Sequence, residues 1–275
     1  MSGEAAAEAE QAEGEDILDI EIRRGLSELQ RPTTGLSLSG LSAGLDIGFG
    51  PLLMAVILTT AGTAGTGELT TQLLLALAYG IGFIFVVLGR SELFTEHTTL
   101  AVLPVLDGSA SPAKLARLWG IVYVSNLVGA VVFGALIVAV GPTVEAVEPA
   151  ALVELARVYT DQPTMGLLGG GVLAGWLMGL LTWLVAGADS TASRIFVVWL
   201  VATAIGVAHL PHCIAGSVEV VAGALASPAL GPMAFARFLG LSTVGNLVGG
   251  TVFVALLKYG HVTRSGPTAR DFRSD

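Results

Sequence analysis

Ala116–Leu136 reads ARLWGIVYVSNLVGAVVFGAL, and Ala236–Leu256 reads ARFLGLSTVGNLVGGTVFVAL. The second stretch repeats the first at a constant offset of 120 residues (236 − 116), and 12 of the 21 aligned positions are identical. Arg117/Arg237 and Asn126/Asn246 are among the identities, as is the N-L-V-G that each asparagine opens. Both copies are apolar and long enough to cross a bilayer, which takes about 20 residues. A duplicated membrane segment points to a chain built from two structural repeats, with any substrate path between them.

Composition supports a membrane protein. Of the 275 residues 53% are hydrophobic and 13% charged, about half the charged share of a soluble domain. Mean hydropathy is +0.77. The 36 glycines suit close helix packing in lipid. Cys213 is the single cysteine, so an internal disulfide is excluded. Acidic charge gathers at the start, where the first 21 residues hold eight carboxylates and no base. No basic patch with interleaved aromatics suggests nucleic-acid binding.

Six hydrophobic blocks follow: 38–60; 73–106, interrupted at Gly89-Arg90-Ser91-Glu92; 115–140; 165–186; 194–226, interrupted at His209-Leu210-Pro211-His212; and 233–259. Basic residues lie before block one, between blocks two and three, at the start of block five and after block six. The positive-inside rule then places both termini in the cytoplasm. Three spans per half make the repeats inverted. The fold predicted is all-α, with six transmembrane helices in two inverted three-helix repeats and helices 2 and 5 interrupted. Residues 1–34 are expected to be a disordered or loosely helical acidic cytoplasmic tail. The channel domain covers 35–260, divided into repeat one (38–141), a linker (142–164) and repeat two (165–259). Residues 261–275 form a second cytoplasmic tail.

The same offset relates the two interruptions. Glu92 plus 120 is His212, and each stands 34 residues before its asparagine. Non-helical backbone at membrane depth is tolerated where it lines a cavity or is buried in protein. The half-helix after each break can direct a partial positive charge at an anion. Polar residues crowd both breaks: Glu92, Thr95 and His97 at the first, His209, His212 and Glu219 at the second. Ionisable groups at such depth are costly and are functional candidates. His212 stands out, because histidine changes charge near physiological pH. Asn126 and Asn246 read as structural groups that tie down the broken helices. Glu92 reads equally well as an acceptor for loop amides. His97 and His209 fit interfacial or structural roles, or an added polar site. His209-x-x-His212 has the spacing of a metal pair but no clustered further ligand, so no metal and no cofactor is expected.

At these residues the chain resembles the formate/nitrite transporter family. Glu92–Thr98, ELFTEHT, is similar to that family's E-L-F-T-x-N-T loop, and His212–Gly216, HCIAG, to its H-S-x-A-N stretch. The N-L-V-G pair and the interrupted helices 2 and 5 also fit. The resemblance implies an aquaporin-like bundle assembled as a homopentamer in the cell membrane, with one pore per protomer. The implied substrates are small monovalent anions or their conjugate acids: formate, nitrite, hydrosulfide or short carboxylates. It implies His212 as the central proton-coupling histidine, with Thr95 offering a hydroxyl to it and to the substrate. Leu93 would form a hydrophobic constriction, with Phe94 beside it. Tyr79 and Ile205 fall where the family places constriction residues. Arg157 is the base nearest to the family's vestibule lysine. The chain departs from the pattern at His97, Pro211 and Gly216, and Glu219 adds a carboxylate.

Two other classes fit the architecture less well. An aquaporin-like water or neutral-solute channel would carry N-P-A loops, and neither break does. An intramembrane metal-dependent enzyme would have to use His209, His212 and Glu219. The expectation is a channel and not an enzyme.

Overall fold

The polar residues of this chain are inside and much of its apolar surface is outside. Thr95, His97, Asn126, His212, Ser217, Glu219 and Asn246 are buried, whereas Leu38, Val124, Val128, Leu136, Phe196, Leu200 and Val244 are exposed. In water that arrangement would be reversed. In lipid it is the stable one, because the apolar belt faces acyl chains and the buried polar groups are kept within the protein. The computed structural model describes residues 3–264, with side chains from Asp16 onward.

In chain order the helices are α1 (Gly3–Gln30), α2 (Thr33–Asp46), α3 (Phe49–Ala64), α4 (Glu68–Gly89), α5 (Phe94–Leu100), α6 (Leu103–Leu106), α7 (Pro112–Val140), α8 (Pro149–Thr160), α9 (Thr164–Ala186), α10 (Thr191–Val207), α11 (Ala215–Ala226), α12 (Pro232–Gly250) and α13 (Leu257–Thr263). A π-helical segment, Thr251–Leu256, joins the last two. Spans one, three, four and six are thus α2–α3, α7, α9 and α12–α13. Span two is α4 followed by the half-helix α5, and span five is α10 followed by the half-helix α11. Among the described residues five stretches are long and apolar enough to cross a bilayer, and the halves of span five are shorter apolar helices.

Repeat one packs α2 on α7, and repeat two packs α9 on α12 in the same way. Both pairs close to backbone contact. A Cβ on Gly44 would strike the carbonyl of Asn126, and one on Gly175 would strike that of Asn246. The half-helices cross over: α5 lies on α9 and α12 of the other repeat, and α11 lies on α7. The long arms α4 and α10 pack on each other. Tyr123 and Thr243, 120 positions apart, hydrogen-bond at 2.9 Å. Symmetry-equivalent residues touch only where a two-fold passes, so the pseudo-axis runs between them. The all-α fold with six spans, inverted repeats and interrupted second and fifth spans is therefore as expected.

Three features add to the expected layout. From Asp16 onward the stretch expected as a tail packs on the protein. The second half of α1 lies on the bundle, with Leu18, Glu21 and Leu29 buried, and Gly25 sits against the Leu100 carbonyl and Pro104. The 142–164 linker contains α8, whose buried residues Ala151, Leu152, Leu155, Ala156 and Tyr159 recur at helical spacing; this face packs on α11. Helix α13 continues span six to Thr263. Most of the 261–275 tail lies outside the described residues.

Candidate functional site

Two asparagines build the site. Asn126 Nδ2 donates to the carbonyls of Gly40 (2.7 Å) and Glu92 (2.9 Å), and its Oδ1 accepts from the Phe94 amide at 2.8 Å. Asn246 Nδ2 donates to the carbonyls of Gly171 (2.8 Å) and Pro211 (3.0 Å), and its Oδ1 accepts from the Cys213 amide at 2.9 Å. Each carboxamide thus uses both donors and one acceptor to satisfy backbone groups that the broken helix leaves free. These clamps also give the true register of the breaks. Glu92 corresponds to Pro211, Leu93 to His212 and Phe94 to Cys213, an offset of 119. The 120 offset that pairs Glu92 with His212 is therefore one residue out.

His212 is fully buried. Its Nδ1 accepts from the amides of Ile214 (3.3 Å) and Ala215 (3.1 Å), at the start of α11. An acceptor nitrogen carries no hydrogen, so the proton of the neutral ring sits on Nε2. That nitrogen lies 2.8 Å from Thr95 Oγ1, and the hydroxyl is then the acceptor. The Phe83 ring stands edge-on to the imidazole, with centroids 5.1 Å apart, and Tyr79 follows one turn earlier on α4, 5.1 Å from Phe83.

A cavity of about 550 Å³ opens on the side covered by α1, lined by Arg24, Arg90, Arg194, Glu28, Glu92 and Glu96 among others. Its rim is a charged chain. Glu92 accepts from Arg31 at 2.6 Å and lies 2.6 Å from His97 Nε2, and Arg31 also donates to Glu28 at 2.7 Å. Arg90 adopts a left-handed conformation (φ 57°) at the end of α4. On α1, burial pushes Glu21 up to about 7, against the pull of Arg24, and burial likewise raises Glu28. A second cavity, about 30 Å³, lies beside Tyr79, Tyr159, His209 and Glu219. Tyr79 precedes Val87 of the first cavity by eight residues, about 12 Å along α4, with Phe83 between them. Phe83, between the two cavities along α4, is the residue that packs on His212.

The family model for formate/nitrite transporters matches residues 15–260. The chain belongs to the formate/nitrite transporter family. It is 29% identical over 245 residues to the inner membrane protein YfdC of Escherichia coli, covering 86% of this chain and 75% of that protein. It is 28% identical over 231 residues to a probable formate transporter of Methanothermobacter thermautotrophicus, covering 78% and 84%. Among solved structures it superimposes on an FNT family ion channel with a TM-score of 0.80 at 22% identity, covering 92% of this chain and 99% of that one. A pentameric formate channel with formate bound gives 0.71 at 24% identity, covering 84% and 98%. The fold is the aquaporin-like bundle of the formate/nitrite transporters, and the chain is a multi-pass membrane protein.

Within this family frame the residues singled out by sequence separate into groups. Thr95 and His212 meet directly. Leu93, Ile205 and Tyr79 are buried. Phe94 turns toward α7, with its ring 4.8 Å from Tyr123 and 6.3 Å from Trp119. Pro211 lends its carbonyl to Asn246, and its ring fills the space that a Cβ on Gly170 would need. Gly216 is where the Phe238 ring approaches: an added Cβ would lie 2.6 Å from it and 3.3 Å from Tyr159. Arg157 is on the exposed face of α8, and Tyr159 on its buried face. His209 is exposed in a left-handed conformation (φ 49°), and its carbonyl accepts from Gln162 at 3.1 Å. His209 and His212 therefore do not converge. Among the described residues no three of His, Cys, Asp and Glu group as metal ligands.

Four participants were not singled out from the sequence. Phe83 follows Tyr79 by four positions and so shares its helix face. Tyr159 and Phe238 pair across α8 and α12, with ring centroids 5.4 Å apart. Arg31 reaches Glu92 from 61 positions away, and no local pattern announces that pairing.

Proposed function

We propose that this protein is a membrane channel or permease for small monovalent anions or their conjugate weak acids, such as formate, nitrite, hydrosulfide or short carboxylates, with proton coupling at His212. The observation that carries this is the Thr95–His212 contact at 2.8 Å where the two broken spans meet. Its surroundings are apolar on the α4 side, where Phe83 covers the ring. A bare anion loses most of its hydration there, at a cost that a neutral acid avoids. The anion enters the cavity that holds Arg24, Arg90 and Arg194. It takes a proton that enters with it from the solvent, while the Thr95 hydroxyl and the His212 Nε2–H hydrogen-bond it and keep their own protons, and it crosses the buried region of Leu93, Ile205 and Tyr79 as the acid.

The geometry limits how His212 takes part. Two amides occupy Nδ1, so contact with substrate runs through Nε2 and the Thr95 hydroxyl. The similarity to a pentameric formate channel supports a homopentamer. The distribution of basic residues supports cytoplasmic termini. The relatives are described as transporters and channels, which supports a transport role without catalysis.

Proteoliposome uptake of formate, nitrite, acetate, lactate and hydrosulfide across a pH series tests this reading, with water flux measured in parallel by light scattering. Uptake of at least one weak acid that rises as external pH falls, with little water flux, is the expected result. Rapid water flux without acid uptake would instead establish an aquaporin-like pore.

A further inference from the structure

Glu219 is buried in α11, and Tyr159 Oη donates to its Oε1 at a long 3.4 Å. Tyr79, also buried, makes no geometrically complete hydrogen bond through its Oη, although the Tyr159 phenol is its electrostatic neighbour. All three line the 30 Å³ cavity. That volume holds about two waters, or a solute of about three heavy atoms. The groups facing Glu219 are Tyr79 from α4, Tyr159 from α8 and His209 from the second break. Among the described residues no Lys or Arg forms an ion pair with it, and the ion pairs present lie on α1 and at the first break.

This cluster is a polar site with more capacity than its own residues use. Tyr79 meets the Tyr159 phenol without a full-geometry bond, the Tyr159–Glu219 bond is stretched, and the carboxyl has acceptor capacity left. It lies one aromatic step, Tyr79 to Phe83, from His212. Along α4, Phe83, which packs on that histidine, separates the cluster from the cavity under α1.

We propose that Glu219, Tyr159 and Tyr79 form a second binding station for the permeating weak acid. There the solute is held only when it and Glu219 together carry at least one proton. This rests on the weak-acid reading above and adds a site to it. Two bare negative charges repel strongly in a cavity of this size. One shared proton turns the same pair into a short charge-assisted hydrogen bond, with the two phenols donating to the remaining oxygens. The step is a proton shared between two oxygens, and no other bond is made or broken. The station excludes an anion while Glu219 is ionised and releases the solute with the proton it brought, so that each passage leaves the site as it began.

The test is Glu219→Gln beside wild type, with Tyr159→Phe as a second variant and gel filtration in detergent to establish assembly. Formate uptake is measured from pH 5 to pH 8, and infrared difference spectra are recorded on adding formate. Glutamine keeps the size and can donate to an anion, so its pH profile should flatten by at least several-fold between the extremes, with anion current appearing in voltage-clamped bilayers. Wild type should show a protonated-carboxyl band that changes with formate, and Glu219→Gln should lack that change. Tyr159→Phe should keep the pH profile and raise the formate concentration for half-maximal uptake. Superimposable pH profiles and infrared responses in wild type and Glu219→Gln would overturn the station while leaving the His212 reading intact. Absence of weak-acid uptake by wild type would overturn both.

Discussion

Thr95 Oγ1 and His212 Nε2 stand 2.8 Å apart although 117 positions separate them in the chain. The bond joins the start of one half-helix to the break before the other. Thr95 accepts from the ring and keeps its own hydrogen for a third group. A permeating anion in place of that group would meet a hydroxyl donor backed by an imidazole N–H. Thr95→Val, which keeps the shape, is expected to lower weak-acid uptake about fivefold or more, as loss of a net hydrogen bond of about 1 kcal/mol implies. Thr95→Ser should stay within twofold of wild type. Uptake by Thr95→Val at the wild-type rate, measured in proteoliposomes at matched protein density, would remove the hydroxyl from the mechanism.

The asparagine clamps predict a stability effect. Replacing Asn126 or Asn246 with Leu strands two buried carbonyls and one amide, each worth about 1–3 kcal/mol when unsatisfied. Either variant should lose several kcal/mol and melt well below wild type in detergent. The two should fall by similar amounts, because their bonds are equivalent. A melting temperature unchanged in either variant would show that the break does not depend on its clamp.

Much of this arrangement is legible in the sequence. The repeat around Asn126 and Asn246 finds the breaks, because the asparagines exist to hold them. The 34-residue spacing errs by one because repeat two carries one more residue between its clamped carbonyl, Pro211, and Asn246. That difference is hidden in the unlike segments around α6 and after α11. The α1 docking was not legible, since eight carboxylates read as a solvated tail, and it is Leu18, Gly25 and Leu29 that place the helix. Phe94 sits in the loop motif, yet its ring belongs to the α7 interface. Sequence position assigns a residue to a loop without giving the direction of its side chain.

Gly216 stands where the Phe238 ring needs room, and an alanine there would bring Cβ within 2.6 Å of it. Gly216→Ala should destabilise by about 1–3 kcal/mol through overpacking. Phe238→Leu should restore part of that loss in the double variant. A thermal-melt cycle checks this. Strictly additive losses would show that the ring is not what excludes the methyl group.

The docking of α1 should depend on pH. Burial lifts Glu21 to about 7 from an ordinary 4.5, with Arg24 and more distant His97 pulling it down. A raised carboxyl stabilises the docked state fully below about 4.5, and that contribution is lost as pH rises through about 7. Its size is at most about 3 kcal/mol. Tryptic cleavage after Arg23 or Arg24 should therefore accelerate as pH rises toward about 7 and level off above it, after correction for the protease's own profile. Glu21→Gln should flatten this dependence. Equal pH dependence in the variant would place the effect elsewhere.

The central claim is best tested on His212 itself. Formate and nitrite uptake into proteoliposomes would be followed from pH 5 to pH 8 for wild type and His212→Phe, with both proteins shown to assemble alike. Phenylalanine keeps a planar ring but has neither the Nε2 proton nor the Nδ1 acceptor. The account predicts that wild-type uptake rises as pH falls, and that the variant loses uptake or loses its pH dependence. A folded His212→Phe protein with the wild-type rate and pH profile would contradict it.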